Sequence, residues 1–401
     1  MPISPRPASM TVERRLVVTL WCAGLAAFAA MYAPQGLLPQ IAGDIEVEAS
    51  QAALLISAAT LGLALSVLPW AWVADRIGLQ KAMRFAAGAA AVCAVAVPFL
   101  PTFEAMLAGR LTHGIALGGI PALAMTLSHD IAVPARAATI AGSYVAATSV
   151  GGLSGRLLAV PVADHFGWRT ALLVLGLVVA VAMIAMIWVI PAGTGAPRTE
   201  SALHTVRGHL GNRAMWPILV VGMLLSGAVM TMFNYLPFRL AAAPYGLEPA
   251  VISLVFLTYL GGTAGSRATG WLGRRFGPPI ILGAAGMLVV VGATVTTAGR
   301  LPVIVAGVAL LTVGFFVGHA VASSMVAARA EVGRSQATAL YTIAYYSGSS
   351  IFGWAGGIAW SGGQWRAVAV LVVALGIAAI VFSTVGSRAG PRAQPCTQSR
   401  L

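Results

Sequence analysis

The sequence predicts an all-α integral membrane protein with twelve transmembrane helices in two pseudo-symmetric six-helix bundles and both termini cytoplasmic. Three observations carry that expectation. Apolar residues make up 59% of the chain and charged residues 9%, against about 25% charged in a soluble domain, and so much apolar surface can only face lipid. Apolar stretches recur twelve times, each with about the 20 residues that cross a hydrocarbon core about 30 Å thick. Finally, Ala71-Trp72-Val73-Ala74-Asp75-Arg76-Ile77-Gly78 returns 199 residues later as Gly270-Trp271-Leu272-Gly273-Arg274-Arg275-Phe276-Gly277. Leu61-Gly62 and Ala138-Thr139 return at the same offset, as Leu260-Gly261 and Ala337-Thr338. A repeat at half-length marks two related halves, and in a membrane it points to a transporter.

The apolar segments fall at 16–39, 50–73, 82–100, 105–127, 137–160 and 170–191, then 214–238, 250–272, 279–298, 302–327, 337–360 and 366–386. The first is too long for a signal-peptide core of about 7–15 residues and reads as a retained span. The longest connection, 192–213, carries Pro197, Gly193, Gly195 and Ser201 and links an N-terminal half (1–191) to a C-terminal half (214–401). Its Arg and His residues read as a segment facing water and lipid headgroups.

Orientation follows from the basic residues. With the N-terminus inside, the cytoplasmic segments hold Arg6, Arg14, Arg15, Arg76, Lys81, Arg84, Arg136, Arg198, Arg207, Arg213, Arg267, Arg274, Arg275, Arg329, Arg334, Arg388, Arg392 and Arg400. The opposite loops hold Arg169, Arg239, Arg300 and Arg366, and the first of them is acidic, with Asp44, Glu46 and Glu48. Such a bias fixes the topology of a multi-pass protein. The net charge of +13 is dispersed along the chain, which speaks against nucleic acid as a partner. Cys22, Cys93 and Cys396 lack disulfide or metal spacing. No nucleophile–base set, HExxH or phosphate-binding loop stands in the sequence, so neither an enzyme nor a nucleotide-driven pump is expected, and no cofactor.

Twelve spans in six-plus-six repeats, with Asp75-Arg76-x-Gly78 between spans two and three, resemble the major facilitator superfamily. Ala71, Leu79 and Gln80 depart from its loop signature. Arg110-x-x-x-Gly114-x-x-x-Gly118 is similar to the family's span-four signature. Gly142, Gly151 and Gly155 keep the spacing of its span-five antiporter signature, with Arg156 where proline is expected. Together with Tyr32-Ala33-Pro34-Gln35, this pattern is similar to the YnfM-like branch of efflux permeases. The resemblance implies a secondary transporter in a bacterial-type inner membrane, acting as a monomer by alternating access, with proton-coupled efflux (antiport) of a small molecule. A proton-coupled uptake permease (symporter) for a small anionic solute is the alternative, and a non-transporting membrane sensor is the alternative of another class.

Several residues stand out on chemical grounds. Arg110 and Arg156 are charged side chains inside spans, each costing about 2.5–3.5 kcal/mol at a helix centre, and two cations without buried acids favour an anionic substrate. No Asp or Glu is expected inside a span, so a proton would be carried by His113 or His319, with Asp44 a weaker candidate. Gln35 and Asn234 are repeat partners and, with Tyr32, Tyr235 and Tyr345, suit a substrate cavity between the halves; Tyr341 shares a helix face with Tyr345. Gly114/Gly118, Gly151/Gly155 and Gly353/Gly357 are small-xxx-small pairs for close helix packing. Asp75, Arg76, Gly78 and Arg275 are expected to serve a cytoplasmic gate, with Asp75 favouring the N-terminus of span eleven and Arg274 reversing that charge in the second copy.

Overall fold

A computed structural model describes residues 10–192, 202–330 and 333–388. Arg6, Arg198, Arg392, Arg400, Cys396 and most of the linker's Gly/Pro stretch lie outside the described residues. The chain is helical: α1 (Met10–Tyr32), α2 (Leu38–Asp44), α3 (Ala49–Ile77), α4 (Leu79–Ala96), α5 (Phe103–Ile131), α6 (Pro134–Val189) and α7 (Ala202–Gly211) form the first group. Then follow α8 (Trp216–Ala241), α9 (Pro249–Ser253), α10 (Thr258–Arg267), α11 (Thr269–Arg275), α12 (Pro278–Val295), α13 (Leu301–Arg329) and α14 (Arg334–Arg388). The short α7 occupies the linker, where no element was expected, and His209 near its end meets the carbonyl of Gly333 at 3.2 Å.

Among the described residues, ten helical stretches are long and apolar enough to cross a membrane. Two of them, Gly142–Val189 and Gln336–Val385, run to 48 and 50 residues, roughly 70–75 Å if straight and far beyond a 30 Å core. Each is broken: Gly167 sits at φ 80°, ψ 157° inside α6, and Gly363 and Gln364 leave helical geometry inside α14. Large apolar side chains such as Phe85, Val181, Trp188 and Val370 are more than two-thirds or nearly so exposed (65–79%), as expected where lipid replaces water as the solvent.

Sequence chemistry explains the ends and breaks. Glu48 and Gln51 form a reciprocal capping box at the start of α3, and the Thr102 hydroxyl accepts from the Ala105 N–H at the start of α5. Gly78 ends α3 at φ 93°, a conformation glycine reaches without a Cβ penalty. Between α1 and α2 the chain tightens into a 3-10 turn over Ala33–Leu37. Pro34 has no N–H to offer the Ala30 carbonyl four residues back.

Close helix approach rests on the paired glycines. A Cβ on Gly151 or Gly155 would stand 2.3 or 2.5 Å from the Leu25 or Ala29 carbonyl oxygen of α1. On Gly114 it would stand 2.0 Å from the Ala59 oxygen of α3, and on Gly348 2.0 Å from the Met223 oxygen of α8. Packing thus pairs α1 with α6 and α8 with α14 in the same manner. Gly353 and Gly357 serve a different seam: Cβ atoms there would meet Ser57 Oγ at 2.7 Å and Ser50 Cβ at 2.9 Å, so they bring α14 against α3. Helices overrun the apolar segments, so acids at the edges of these segments stand in helical turns. Glu13 lies in the first turn of α1, 7% exposed, and pairs with Arg136 of α6 at 2.5 Å.

Candidate functional site

The seam between the halves is centred on Arg156. Its side chain is 1% exposed, so it does not snorkel to an interface; the head group is inside. Nε donates to Gln35 Oε1 at 2.6 Å, Nη1 donates to the Gly152 carbonyl at 2.6 Å, and Nη2 reaches the Tyr259 hydroxyl at 3.4 Å. Gly152 makes the second bond possible, since a Cβ there would already come within 3.3 Å of Nη1. The guanidinium also lies over the rings of Tyr32 (4.2 Å), Tyr259 (4.8 Å) and Phe256 (5.3 Å). Each such contact is worth about 0.5–2 kcal/mol, more when desolvated. Among the described residues no carboxylate pairs with Arg156.

The repeat partners Gln35 and Asn234 touch each other. Gln35 Nε2 donates to Asn234 Oδ1 at 2.6 Å and also approaches Met230 Sδ at 3.3 Å. A continuous hydrogen-bonded chain, Arg156–Gln35–Asn234, therefore crosses from one half to the other, and both amides are 0% exposed. The expectation that they line a cavity is sharpened: here they close on one another.

Aromatic rings build the C-terminal side of this seam. Phe233 stacks on Phe256 at 5.4 Å and tilts against Tyr259 at 4.9 Å. Tyr259 meets Phe316 edge-on at 5.5 Å, and Phe316 meets Phe315 at 5.1 Å. His319 follows, stacked on Phe315 at 5.8 Å, 4.9 Å from the Tyr345 ring, with Nδ1 2.9 Å from the Tyr341 hydroxyl. Tyr259, Phe316, His319 and Tyr345 stay partly exposed along the seam. Tyr235 stands apart from this set. Its hydroxyl donates to the Gly353 carbonyl at 3.0 Å and its ring stacks on Trp360 at 5.8 Å, tying α8 to α14.

Arg110 and His113 form a second, separate group inside the N-terminal half. Arg110 donates to the carbonyls of Ala30 (3.1 Å), Met31 (2.6 Å) and Leu55 (3.1 Å). The Ala30 oxygen is the one that Pro34 leaves without its helical N–H, so the guanidinium completes a broken helix end. His113 Nδ1 lies 3.4 Å from Arg110 Nη1. Arginine can only donate, so Nδ1 must accept and Nε2 carries the hydrogen. That Nε2 is buried and unpartnered, beside a crevice lined by Pro34, Val97, Pro98 and Leu175.

The ends of the molecule carry the remaining candidates. On α3 and α14 the halves meet: Ser350 Oγ donates to the Ser57 carbonyl at 2.8 Å, and Ser361 reaches Glu48 at 3.5 Å. At the far end of α3, Arg76 stacks over Trp72 at 3.9 Å, and Arg275 lies over Trp271 at 5.8 Å in the second copy. Asp75 occupies the last turn of α3, with its side chain exposed. Asp44 accepts from Trp168 Nε1 at 2.9 Å. Phe256, Tyr259, Phe316, Met230 and Gly152 were not picked out from sequence. Tyr259 alone offered a signal, a polar-tipped ring within an apolar run.

Comparison with known proteins agrees with this architecture. A family profile for the Major Facilitator Superfamily matches residues 20–353. The uncharacterized transporter YybF of Bacillus subtilis is 31% identical over 376 residues, 93% of each chain. The inner membrane transport protein YnfM of Escherichia coli is 32% identical over 376 residues, covering 92% of this chain and 90% of that one. The crystal structure of a bacterial homologue of the human lysosomal transporter Spinster, inward-facing and occupied, superposes with a TM-score of 0.77 at 13% identity, over 96% of this chain and all of that one.

Proposed function

The chain belongs to the major facilitator superfamily, and from that premise we propose that it is a proton-coupled secondary transporter working by alternating access, in the direction of efflux. Transport of a small molecule, without enzymatic chemistry, is the family's activity. The finer reading rests on one observation: the buried chain Arg156–Gln35–Asn234 joins the halves through neutral partners. A hydrogen bond between halves must break if the halves rock apart around a midplane site, so this contact is where binding and movement meet.

In this reading the chain crosses the membrane twelve times, the breaks at Gly167 and at Gly363-Gln364 dividing α6 and α14 into two crossings each. Both termini lie in the cytoplasm of a bacterial cell, and the molecule works as a monomer in its inner membrane. The Ser57–Ser350 and Glu48–Ser361 contacts then close the outer side, and the partly exposed rings of Tyr259, Phe316 and Tyr345 open towards the inside. Arg156, Gln35, Asn234, Tyr32 and Tyr345 hold the substrate. Arg110 and Tyr235 keep helix geometry instead, because their donors are committed to backbone carbonyls.

His319 is the group proposed to carry the proton. It lies against the seam with Nδ1 2.9 Å from the Tyr341 hydroxyl, and gaining a proton makes both of its ring nitrogens donors. His113 is less suited, since Arg110 already donates to its Nδ1. Asp75, Arg76, Gly78 and Arg275 stand at the inner gate, which alternates with the outer contacts. A compound panel in proteoliposomes with an imposed pH gradient tests the reading. Substrate-dependent proton movement is expected; substrate exchange that ignores the gradient removes the coupling, and no exchange of any compound removes transport.

A further inference from the structure

The seam around Arg156 holds more hydrogen-bond donors than acceptors. Arginine only donates, so its contact with Gln35 fixes Oε1 towards the guanidinium and Nε2 towards Asn234. Asn234 Oδ1 must then accept, which turns Nδ2 away from the chain. That Nδ2 is buried without a partner. Arg156 itself is satisfied by an amide oxygen, a backbone carbonyl and a distant phenol, all neutral. A buried cation held only by neutral acceptors is best matched by an oxygen anion.

The walls specify the rest of the ligand. Arg156 lies over the rings of Tyr32, Tyr259 and Phe256, and Phe316 stands edge-on to Tyr259. Rings disposed in this way take another ring by offset stacking or edge contact. A lipophilic cation would place like charge beside the guanidinium, and a neutral amphiphile would leave it unpaired.

We propose that the ligand of this seam is an organic anion carrying an aromatic ring. Its carboxylate takes Arg156 as a two-pronged partner in place of Gln35 Oε1, and its ring lies against Tyr259 and Phe316. This inference rests on the assignment of the seam as the substrate site.

The test uses the full chain in proteoliposomes at pH 7.5 and three phenols that differ in charge: p-hydroxybenzoate, p-hydroxybenzamide and tyramine. Labelled p-hydroxybenzoate is expected to undergo counterflow, and the unlabelled anion to compete at least about tenfold better than the other two, the worth of one charge-assisted hydrogen bond. Arg156→Lys keeps the charge but loses the fork and is expected to erode that preference, with its melting temperature confirming a folded protein. The wild-type series needs no variant. Equal or better competition by tyramine or the amide overturns the inference and leaves transport standing. So does exchange of another panel compound with which none of the three competes. Exchange of nothing at all overturns both.

Discussion

The two walls of the central seam are built from equivalent helices and yet carry opposite chemistry. On the N-terminal wall, small residues let α6 press against α1, and a single buried cation, Arg156, projects across the gap. At the 199-residue offset from Arg156 stands Ala355, and the C-terminal wall supplies Phe256, Tyr259, Phe316, His319 and Tyr345 in its place. Only the amides are shared, and Gln35 and Asn234 bond to each other. The difference teaches that duplication fixed the helix framework, while the polar and aromatic contents of the two walls diverged into complementary parts. One wall offers charge beside a single ring, Tyr32, and the other offers most of the ring faces and an imidazole.

The sharpest way to break this comparison is to remove the charge. Arg156→Ala is expected to lower substrate counterflow by about two orders of magnitude, roughly 3 kcal/mol for a charge-assisted partner, whereas Tyr259→Phe on the facing wall should cost less than about 1 kcal/mol because the ring remains. Comparable losses from both would mean that the walls are not specialised. The shared framework is tested next. Leucine at Gly155 or at Gly348 must displace a neighbouring backbone, since even a Cβ would stand 2.5 or 2.0 Å from a carbonyl oxygen. Each should lower stability by about 1–3 kcal/mol in thermal melts, while Gly142→Ala, with nothing within 4 Å, serves as the silent control.

Smaller effects separate the shared amides from the titratable wall. Gln35→Ala and Asn234→Ala should be non-additive in a double-mutant cycle by about 0.5–3 kcal/mol, because either deletion already breaks the same bond; strict additivity of the flux changes would show that the contact plays no part. His319→Gln keeps a hydrogen-bonding side chain but cannot carry a proton. It is expected to flatten the pH dependence of flux and to leave substrate affinity near wild type. A loss of affinity with the pH profile intact would make His319 a packing residue.

How much of this was legible in the sequence differs from residue to residue. Composition and apolar periodicity were enough for an all-helical membrane fold, because lipid leaves the backbone few alternatives. The glycine pairs also declared themselves, since small residues four apart have one evident use between helices. That α6 and α14 run on through their breaks at Gly167 and at Gly363-Gln364 was not legible, as helix continuity depends on backbone angles that short loops hide. Gln35 and Asn234 were found through the repeat, although the spacing could not say that they touch. Arg110 and Arg156 looked alike, each a lone cation in an apolar run. What separates them is the neighbour: Pro34 frees a carbonyl for Arg110, while rings from both halves surround Arg156. Phe256 and Phe316 were invisible because a phenylalanine in a membrane helix looks the same whether it faces lipid or a ligand.

Cross-linking one half to the other tests the central claim most directly. Cysteines at Glu48 and Ser361, which meet across the halves outside the substrate seam, in a background freed of Cys22, Cys93 and Cys396, can be joined by a short thiol cross-linker. If the halves part at this contact in each cycle, cross-linking abolishes counterflow in proteoliposomes and cleaving the link restores it. Undiminished counterflow in the fully cross-linked protein would contradict the account.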